Sequence, residues 1–166
     1  MTSQIRFGIL TLSDRSSRGE RADASGPALA RLIETEGWSI TKQSLLPDDE
    51  SAIRQTLTEW SDSSEMDVIL TTGGTGFAPR DVTPEATQAV IEREAPGLAE
   101  AMRAASLKIT PHAMLSRIVT GIRKKTLIVN LPGSPKGAVE NLQVIFPVLP
   151  HAVQLLRDDP SSESSH

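Results

Sequence analysis

The stretch Asp67-Val-Ile-Leu-Thr-Thr-Gly-Gly-Thr-Gly-Phe-Ala-Pro-Arg-Asp-Val-Thr-Pro84 changes character twice. It opens with an apolar run, Val68, Ile69 and Leu70, that suits a strand over Asp67–Thr72 buried on both faces. Three glycines in four residues follow, at Gly73, Gly74 and Gly76. Thr83–Pro84 then carries the signature of a helix start, a hydroxyl N-cap followed by proline at the first helical position. A strand, a glycine-rich turn and a helix in immediate succession form half of a βαβ unit. The fold class expected from this stretch is α/β with a mostly parallel sheet.

The rest of the chain repeats the alternation. Ile5–Leu12 is nearly continuous in apolar residues and reads as another buried strand. Ser13–Ala24 is polar and reads as a long loop, and long loops in compact domains are often functional. A helix is expected from Ser25–Gly26–Pro27 to Gly37, a strand over Trp38–Leu46, and a helix from Asp48–Asp49–Glu50 to about Trp60. The helix from Thr83 runs through Ile91, and another from Pro96–Gly97 to about Ser106. Ser116–Gly121 and Thr126–Leu131 are strand candidates joined as a hairpin. Ser134–Pro135 starts a last helix toward Arg157, which Pro147 and Pro150 must kink or split. Residues 1–157 form one domain, and Asp158–His166, with no apolar residue after Pro160, reads as a disordered tail.

Composition removes several functions. The 166 residues include no Cys, which excludes disulfides, thiolate metal sites and a cysteine nucleophile. The three His, at 112, 151 and 166, lack zinc-ligand spacing, and His112 after Pro111 reads as exposed rather than catalytic. A net charge of −4 and the absence of Tyr argue against a general nucleic-acid binder, which needs basic surface and stacking rings. No apolar run approaches a membrane span and no signal-peptide pattern opens the chain, so a cytoplasmic protein is the default expectation.

Four loops leave apparent strand ends with residues suited to chemistry: Ser13–Asp14, Pro47–Asp48, Gly73–Asp81 and Pro132–Ser134. Ligands of open α/β sheets bind beyond the carboxyl ends of the strands. The glycines allow close approach of backbone N–H groups to an anion, and the Thr72 and Thr75 hydroxyls can donate. The same glycines also suit a tight strand-to-helix turn with no ligand. Asp81 is either a capping residue or, beside a phosphate, the partner of an intervening Mg²⁺. Asp48 and Asp49 are either helix-dipole partners or part of such a site. Pro132–Gly133–Ser134 starts a helix and is either an ordinary cap or an anion site to which Lys136 adds charge. Read from the residues alone, the chain is an α/β domain that binds a phosphorylated ligand, with Mg²⁺ left open.

The same segments resemble the molybdopterin adenylyltransferases, the MogA type also found as the gephyrin G domain. Residues 70–87 are close to the family signature. Thr11–Asp14, Leu46–Asp48, Ile109–Arg117 and Asn130–Pro135 join it in family order, so the resemblance spans about residues 5–157. It implies a three-layer α/β/α molybdopterin-binding fold, assembled as a homotrimer. It implies transfer of AMP from Mg-ATP to the terminal phosphate of molybdopterin with release of pyrophosphate. A separate molybdate-insertion protein would use the product.

By the resemblance, Asp48 and Asp81 match the two essential carboxylates, Asp81 linked to Mg²⁺ and Asp48 orienting ATP or its metal. Gly73, Gly74, Thr75, Gly76 and Arg80 match the phosphate and nucleotide loop. Ser13, Asp14, Thr83, Ser116, Pro132, Gly133 and Ser134 match positions lining the pterin and phosphate pocket. Some bacterial members of the related MoaB type do not carry out this step and depart from Arg-Asp-Val-Thr-Pro. Here Arg80–Pro84 keeps that pattern.

Overall fold

The computed structural model describes residues 4–160. Strands β1 (Arg6–Leu12), β2 (Ser39–Leu46), β3 (Val68–Thr72), β4 (Arg93–Glu94), β5 (Thr120–Arg123) and β6 (Thr126–Leu131) form one sheet in the order β2-β1-β3-β6-β5-β4. The first four in that order run parallel, whereas β5 is antiparallel to β6 and to β4. The helices are α1 (Asp14–Ser17), α2 (Ser25–Thr35), α3 (Glu50–Asp62), α4 (Thr83–Val90), α5 (Pro96–Leu107), α6 (Pro135–Ile145) and α7 (Leu149–Leu156). Short 3-10 segments occupy Pro111–Leu115 and Phe146–Val148.

Side chains alternate across a strand, and the two sets here fill two separate cores. Ile5, Phe7, Ile9, Val68, Leu70, Leu127 and Val129 pack with α2, α5, α6 and α7. Leu10, Leu12, Ile69 and Ile128 pack on the other face with Ile53, Leu57 and Trp60 of α3 and Ala86 and Val90 of α4. Three layers result, as the resemblance implies. Gly8 faces the second core, where a Cβ would run into Trp60 and Met66. β2 lies at the sheet edge and is largely exposed along its middle. Among the described residues no helix is long and apolar enough to cross a membrane.

Several boundaries depart from the pattern in the sequence. The expected Ser116–Gly121 strand begins only at Thr120. The Arg117 N–H donates to Thr75 O and the Val119 N–H to Asn130 Oδ1, so neither is available to a strand ladder. The expected loop over Ser13–Ala24 contains α1, capped by Ser13. The segment around His112 is a 3-10 turn. β4 has two exposed residues and no apolar pattern by which to find it. The split of the last helix at Pro147 is as expected. The Asp158 and Asp159 N–H groups donate back to Leu155 O and Gln154 O, and residues 161–166 of the expected tail lie outside the described residues.

Chain direction places the functional end. From β1 the chain moves outward to β2, then returns past β1 to β3 on its other side. β1 and β3 are therefore neighbours whose connections leave in opposite directions, and a crevice opens beyond their carboxyl ends.

At the opposite end of β3, Asp67 ties the two ends of the described chain together. Its carboxylate, 4% exposed, accepts from Arg6 N–H at 2.9 Å, from Arg6 Nε and Nη2 at 3.1 Å each, and from Arg157 Nε and Nη2 at 3.0 and 2.6 Å. Burial acts to raise the Asp67 pKa, but the hydrogen bonds from Arg157 and Arg6 outweigh it and hold the group below the ordinary carboxylate range. A depressed pKa in the folded state contributes stability above the unfolded-state value of about 4, lost as pH falls through the folded one. Asp67→Asn is expected to lower unfolding free energy at pH 7 by about 2–3 kcal/mol, somewhat less than for a fully buried pair because both arginines reach solvent. The difference between the two proteins in urea melts should shrink as Asp67 is protonated in the parent; a difference independent of pH would contradict the assignment.

Candidate functional site

The loops after β1, β2, β3 and β6 converge beyond the sheet. The Ser13 N–H donates to Leu46 O at 3.0 Å and the Gly73 N–H to Leu131 O at 3.2 Å, linking the strand ends across the crevice. They surround a cavity of about 710 Å³ that Ser13, Asp14, Asp48, Gly73, Gly74, Asp81, Gly133 and Ser134 help to line. A second cavity of about 320 Å³ is lined by Thr75, Gly76, Ser116, Pro132 and again Ser134. Of the residues expected to contact pterin, Ser13, Asp14, Gly133 and Ser134 line the larger space and Ser116, Pro132 and again Ser134 the smaller, whereas Thr83 lines neither.

The glycine loop has a directional hydrogen-bond pattern. Gly73 and Gly74 both have positive φ, 104° and 67°, which side chains other than glycine's rarely permit. All four carbonyls from Gly73 to Gly76 are taken by the protein: Gly73 O by Thr83 Oγ1, Gly74 O by Thr83 N–H, Thr75 O by Arg117 N–H and Gly76 O by Arg117 Nε. The Gly76 and Ala78 N–H groups donate to Asp81 Oδ2 at 3.1 and 3.0 Å. The consecutive N–H groups of Gly74 and Thr75 find no acceptor among the described residues. Oxygens turned away and adjacent N–H groups left over make an anion-binding concavity.

The acidic residues divide by role. Asp49 caps α3, accepting from the Ala52 N–H at 3.1 Å, so the helix start is already served without Asp48. Asp48 instead exchanges backbone bonds with Asp14: the Asp14 N–H donates to Asp48 Oδ2, and the Asp48 N–H to Asp14 Oδ1, both at 3.0 Å. Asp48 Oδ1 is buried, has no hydrogen-bond partner among the described residues, and would lie 2.8 Å from a Cβ at Gly74. Burial pushes the Asp48 carboxyl up, the Asp14 N–H opposes this, and the negative charges of Asp14 and Asp81 add to the rise. Asp14 moves the other way, held down chiefly by the Arg80 guanidinium, which binds it at 2.9 and 3.0 Å.

Other expected residues take supporting positions. Arg80 is 68% exposed and committed to Asp14 in this state, although the resemblance assigned it to phosphate. Thr83 is fully buried beneath the loop and lines neither cavity; it braces the loop instead of contacting ligand. Ser134 Oγ accepts from the Gly137 N–H as an ordinary cap, while Ser134 still lines both cavities. Lys136 is 82% exposed and lines neither cavity; it pairs along its helix with Glu140, which borders the smaller one. Pro132 O accepts from Thr72 Oγ1 at 2.7 Å, and Gly133 packs against Gly73.

Positive charge reaches the larger cavity from Arg15 and Arg21, in the polar loop after β1, where periodicity offers no guide to side-chain direction. Arg117 is the principal residue that spacing did not single out, because its contacts lie over thirty residues away in sequence.

Among the described residues no group of three or more His, Cys, Asp or Glu forms a metal cage. Mg²⁺ rarely uses one; it keeps waters and takes one or two carboxylates plus substrate phosphates. The orphaned Asp48 Oδ1, with Asp81 on the same cavity, fits that second form.

The family described as a probable molybdopterin binding domain matches residues 8–151. The molybdenum cofactor synthesis protein cinnamon of Drosophila melanogaster is 49% identical over 95% of this chain, which spans 26% of cinnamon's length. The molybdopterin adenylyltransferase of Escherichia coli K12 is 43% identical over 92% of this chain and 85% of its own. The crystal structure of the molybdopterin biosynthesis enzyme MoaB from Thermus thermophilus superposes with a TM-score of 0.88 at 50% identity, covering 95% of this chain and 99% of that one. The family match spans every loop that builds the crevice, and the chain belongs to the molybdopterin-binding domain family of molybdenum cofactor biosynthesis.

Proposed function

We propose that this chain is a molybdopterin adenylyltransferase, moving AMP from ATP to the terminal phosphate of molybdopterin and releasing pyrophosphate. One observation carries the reading: the consecutive Gly74 and Thr75 N–H groups, without an acceptor among the described residues, belong to residues where the two cavities meet, Gly74 lining the larger one with the buried Asp48 Oδ1 and Thr75 lining the smaller. A phosphate satisfies the N–H groups, a cation satisfies the carboxylate oxygen, and a metal-bound nucleotide supplies both together. The division into two cavities that share Ser134 supports two substrates meeting there. The nucleotide takes the larger space, beside Arg15, Arg21 and the carboxylates. The pterin takes the smaller, beside Ser116 and Pro132.

In the reaction a terminal phosphate oxygen of molybdopterin attacks the α-phosphorus of ATP. The new P–O bond forms as the bond to the bridging oxygen breaks, and that electron pair leaves with pyrophosphate. No covalent enzyme intermediate is needed, in keeping with the absence of cysteine. Catalysis is positioning and charge neutralisation. Asp48 and Asp81 would hold Mg²⁺, which supplies Lewis-acid neutralisation of the crowded phosphates when bound. Asp14 keeps Asp48 in place through the reciprocal backbone bonds, and the loop N–H groups orient the phosphate they bind. A homotrimer, a cytoplasmic setting and a separate molybdate-insertion protein belong to the same proposal and rest on the resemblance.

A specific observation keeps a second reading in play: the solved relative at 50% identity is named MoaB. In that reading the chain holds a phosphorylated pterin without turnover. Incubation with molybdopterin, Mg²⁺ and ATP should release pyrophosphate in step with adenylated pterin; pterin binding without release would favour the carrier. Asp48→Asn and Asp81→Asn should fold normally and lose AMP transfer by about 100-fold or more, the scale of a lost transition-state electrostatic contact. Normal turnover in either variant removes that residue from the mechanism. Gly74→Ala forces a Cβ into Thr83 Oγ1 and Asp48 Oδ1 at a positive φ, so calorimetry should show weakened binding of ATP with Mg²⁺.

A further inference from the structure

An anion-binding turn works only if its carbonyl oxygens are held elsewhere, since one of them rotated inward would repel the ligand and hide an N–H group. Two residues meet that requirement here. Thr83, on the same loop-to-helix segment, takes the carbonyls of Gly73 and Gly74. Arg117, remote in sequence, takes the other two through its N–H to Thr75 O at 2.9 Å and its Nε to Gly76 O at 2.7 Å. The same guanidinium donates through Nη2 to Asp81 O at 2.8 Å. Its outer edge is gripped by Glu85 on the first turn of α4, Nη1 to Oε2 at 2.7 Å and Nη2 to Oε1 at 3.2 Å.

One planar group therefore fastens both ends of the loop that carries the Asp81 carboxylate, while Asp81 Oδ2 fastens the middle from inside. We propose that Arg117 is a positioning residue for the nucleotide phosphates: its fork orients the Gly74–Thr75 N–H pair and Asp81 without itself touching substrate. This rests on the adenylyltransferase reading for its consequence in turnover, but not for its consequence in anion binding. Shape is what matters in the role. Nε and Nη2 reach two different carbonyls while Nη1 and Nη2 reach a carboxylate, a set of directions that a lysine ammonium cannot reproduce. A residue of purely structural importance would instead lower the melting temperature and would not respond to added guanidinium ion.

The test uses the full chain with Arg117→Ala and Arg117→Lys. Both are expected to bind ATP with Mg²⁺ at least about tenfold more weakly by calorimetry and to lose kcat by about 100-fold, the range for removal of positioned donors. The melting temperature should change little, because the fork braces one loop and no part of either core, whereas the KM for molybdopterin should also rise, since Thr75 and Gly76 border its proposed space. Added guanidinium ion should restore part of the ATP affinity and turnover of Arg117→Ala. Parent-like ATP affinity in Arg117→Ala would overturn the inference, as would full function in Arg117→Lys, which would reduce the role to a point charge. Should Arg117→Ala fail to fold, Arg117→Lys decides by the same affinity measurement. A parent protein without AMP transfer but with the expected loss of ATP affinity would sink the adenylyltransferase reading and leave the positioning role standing.

Discussion

The tightest approach in the crevice is between two backbones. Gly73, leaving β3, passes so near the carbonyl of Leu12 at the end of β1 that a Cβ at Gly73 would overlap that oxygen. Gly133 packs against the same residue, where a Cβ on Gly133 would lie 3.3 Å from the Gly73 Cα. Three strand ends are thereby drawn to one point, with the Gly73 N–H tied to Leu131 O. The crevice, the separation of its two cavities and the orientation of the next N–H groups all depend on that contact. The positive φ at Gly73 and Gly74 is the conformational cost of making it, and glycine keeps that cost small.

Behind the crevice the interior is polar where it must hold α4 in register with the sheet. Asn130 of β6 is fully buried; its Nδ2 donates to Thr71 Oγ1 and Thr87 Oγ1, each at 2.9 Å, and its Oδ1 accepts the Val119 N–H. Each polar atom of that amide is paired, which is the condition for a buried polar group to specify geometry rather than destabilise it. The effect is to anchor the middle of α4 to β3 and β6. The first turn of α4 carries Thr83 and Glu85, so the bracing of the glycine loop is transmitted from the centre of the sheet.

The distribution of acid and base around the site gives the net charge of −4 a local meaning. Asp14, Asp48 and Asp81 meet at one cavity with Arg15 and Arg21 on its wall. Arg80 neutralises Asp14, leaving Asp48 partly desolvated and repelled by its neighbours. Such an arrangement suits a cation between two anions and would be poor at holding an extended polyanion. Asp49, one residue from Asp48, has no share in it because the N-cap geometry of α3 turns its carboxylate to Ala52.

Much of the fold was readable along the chain because its determinants are local. Strand runs at β1, β3 and β6, the Ser-Pro helix start and the proline break after α6 each involve neighbours within a turn, whereas Thr83 does not cap α4 as expected: Val82 holds the N-cap position without a side-chain bond, and the Thr83 hydroxyl donates to Gly73 O instead. The glycine spacing and the isolated acids marked loops that converge beyond the sheet, and the resemblance joined them into one candidate site. What could not be read was the choice between adjacent or equivalent groups. Asp48 against Asp49, Arg117 against Arg80, and Thr83 as a brace rather than a wall were decided by partners thirty or more residues away or by burial beneath the loop. Sequence by itself determined the elements and the glycine freedom that lets β3 turn against β1. Tertiary structure alone decided which oxygens are satisfied and which N–H groups remain open, because hydrogen bonding is settled by distance and direction in space and not by order along the chain.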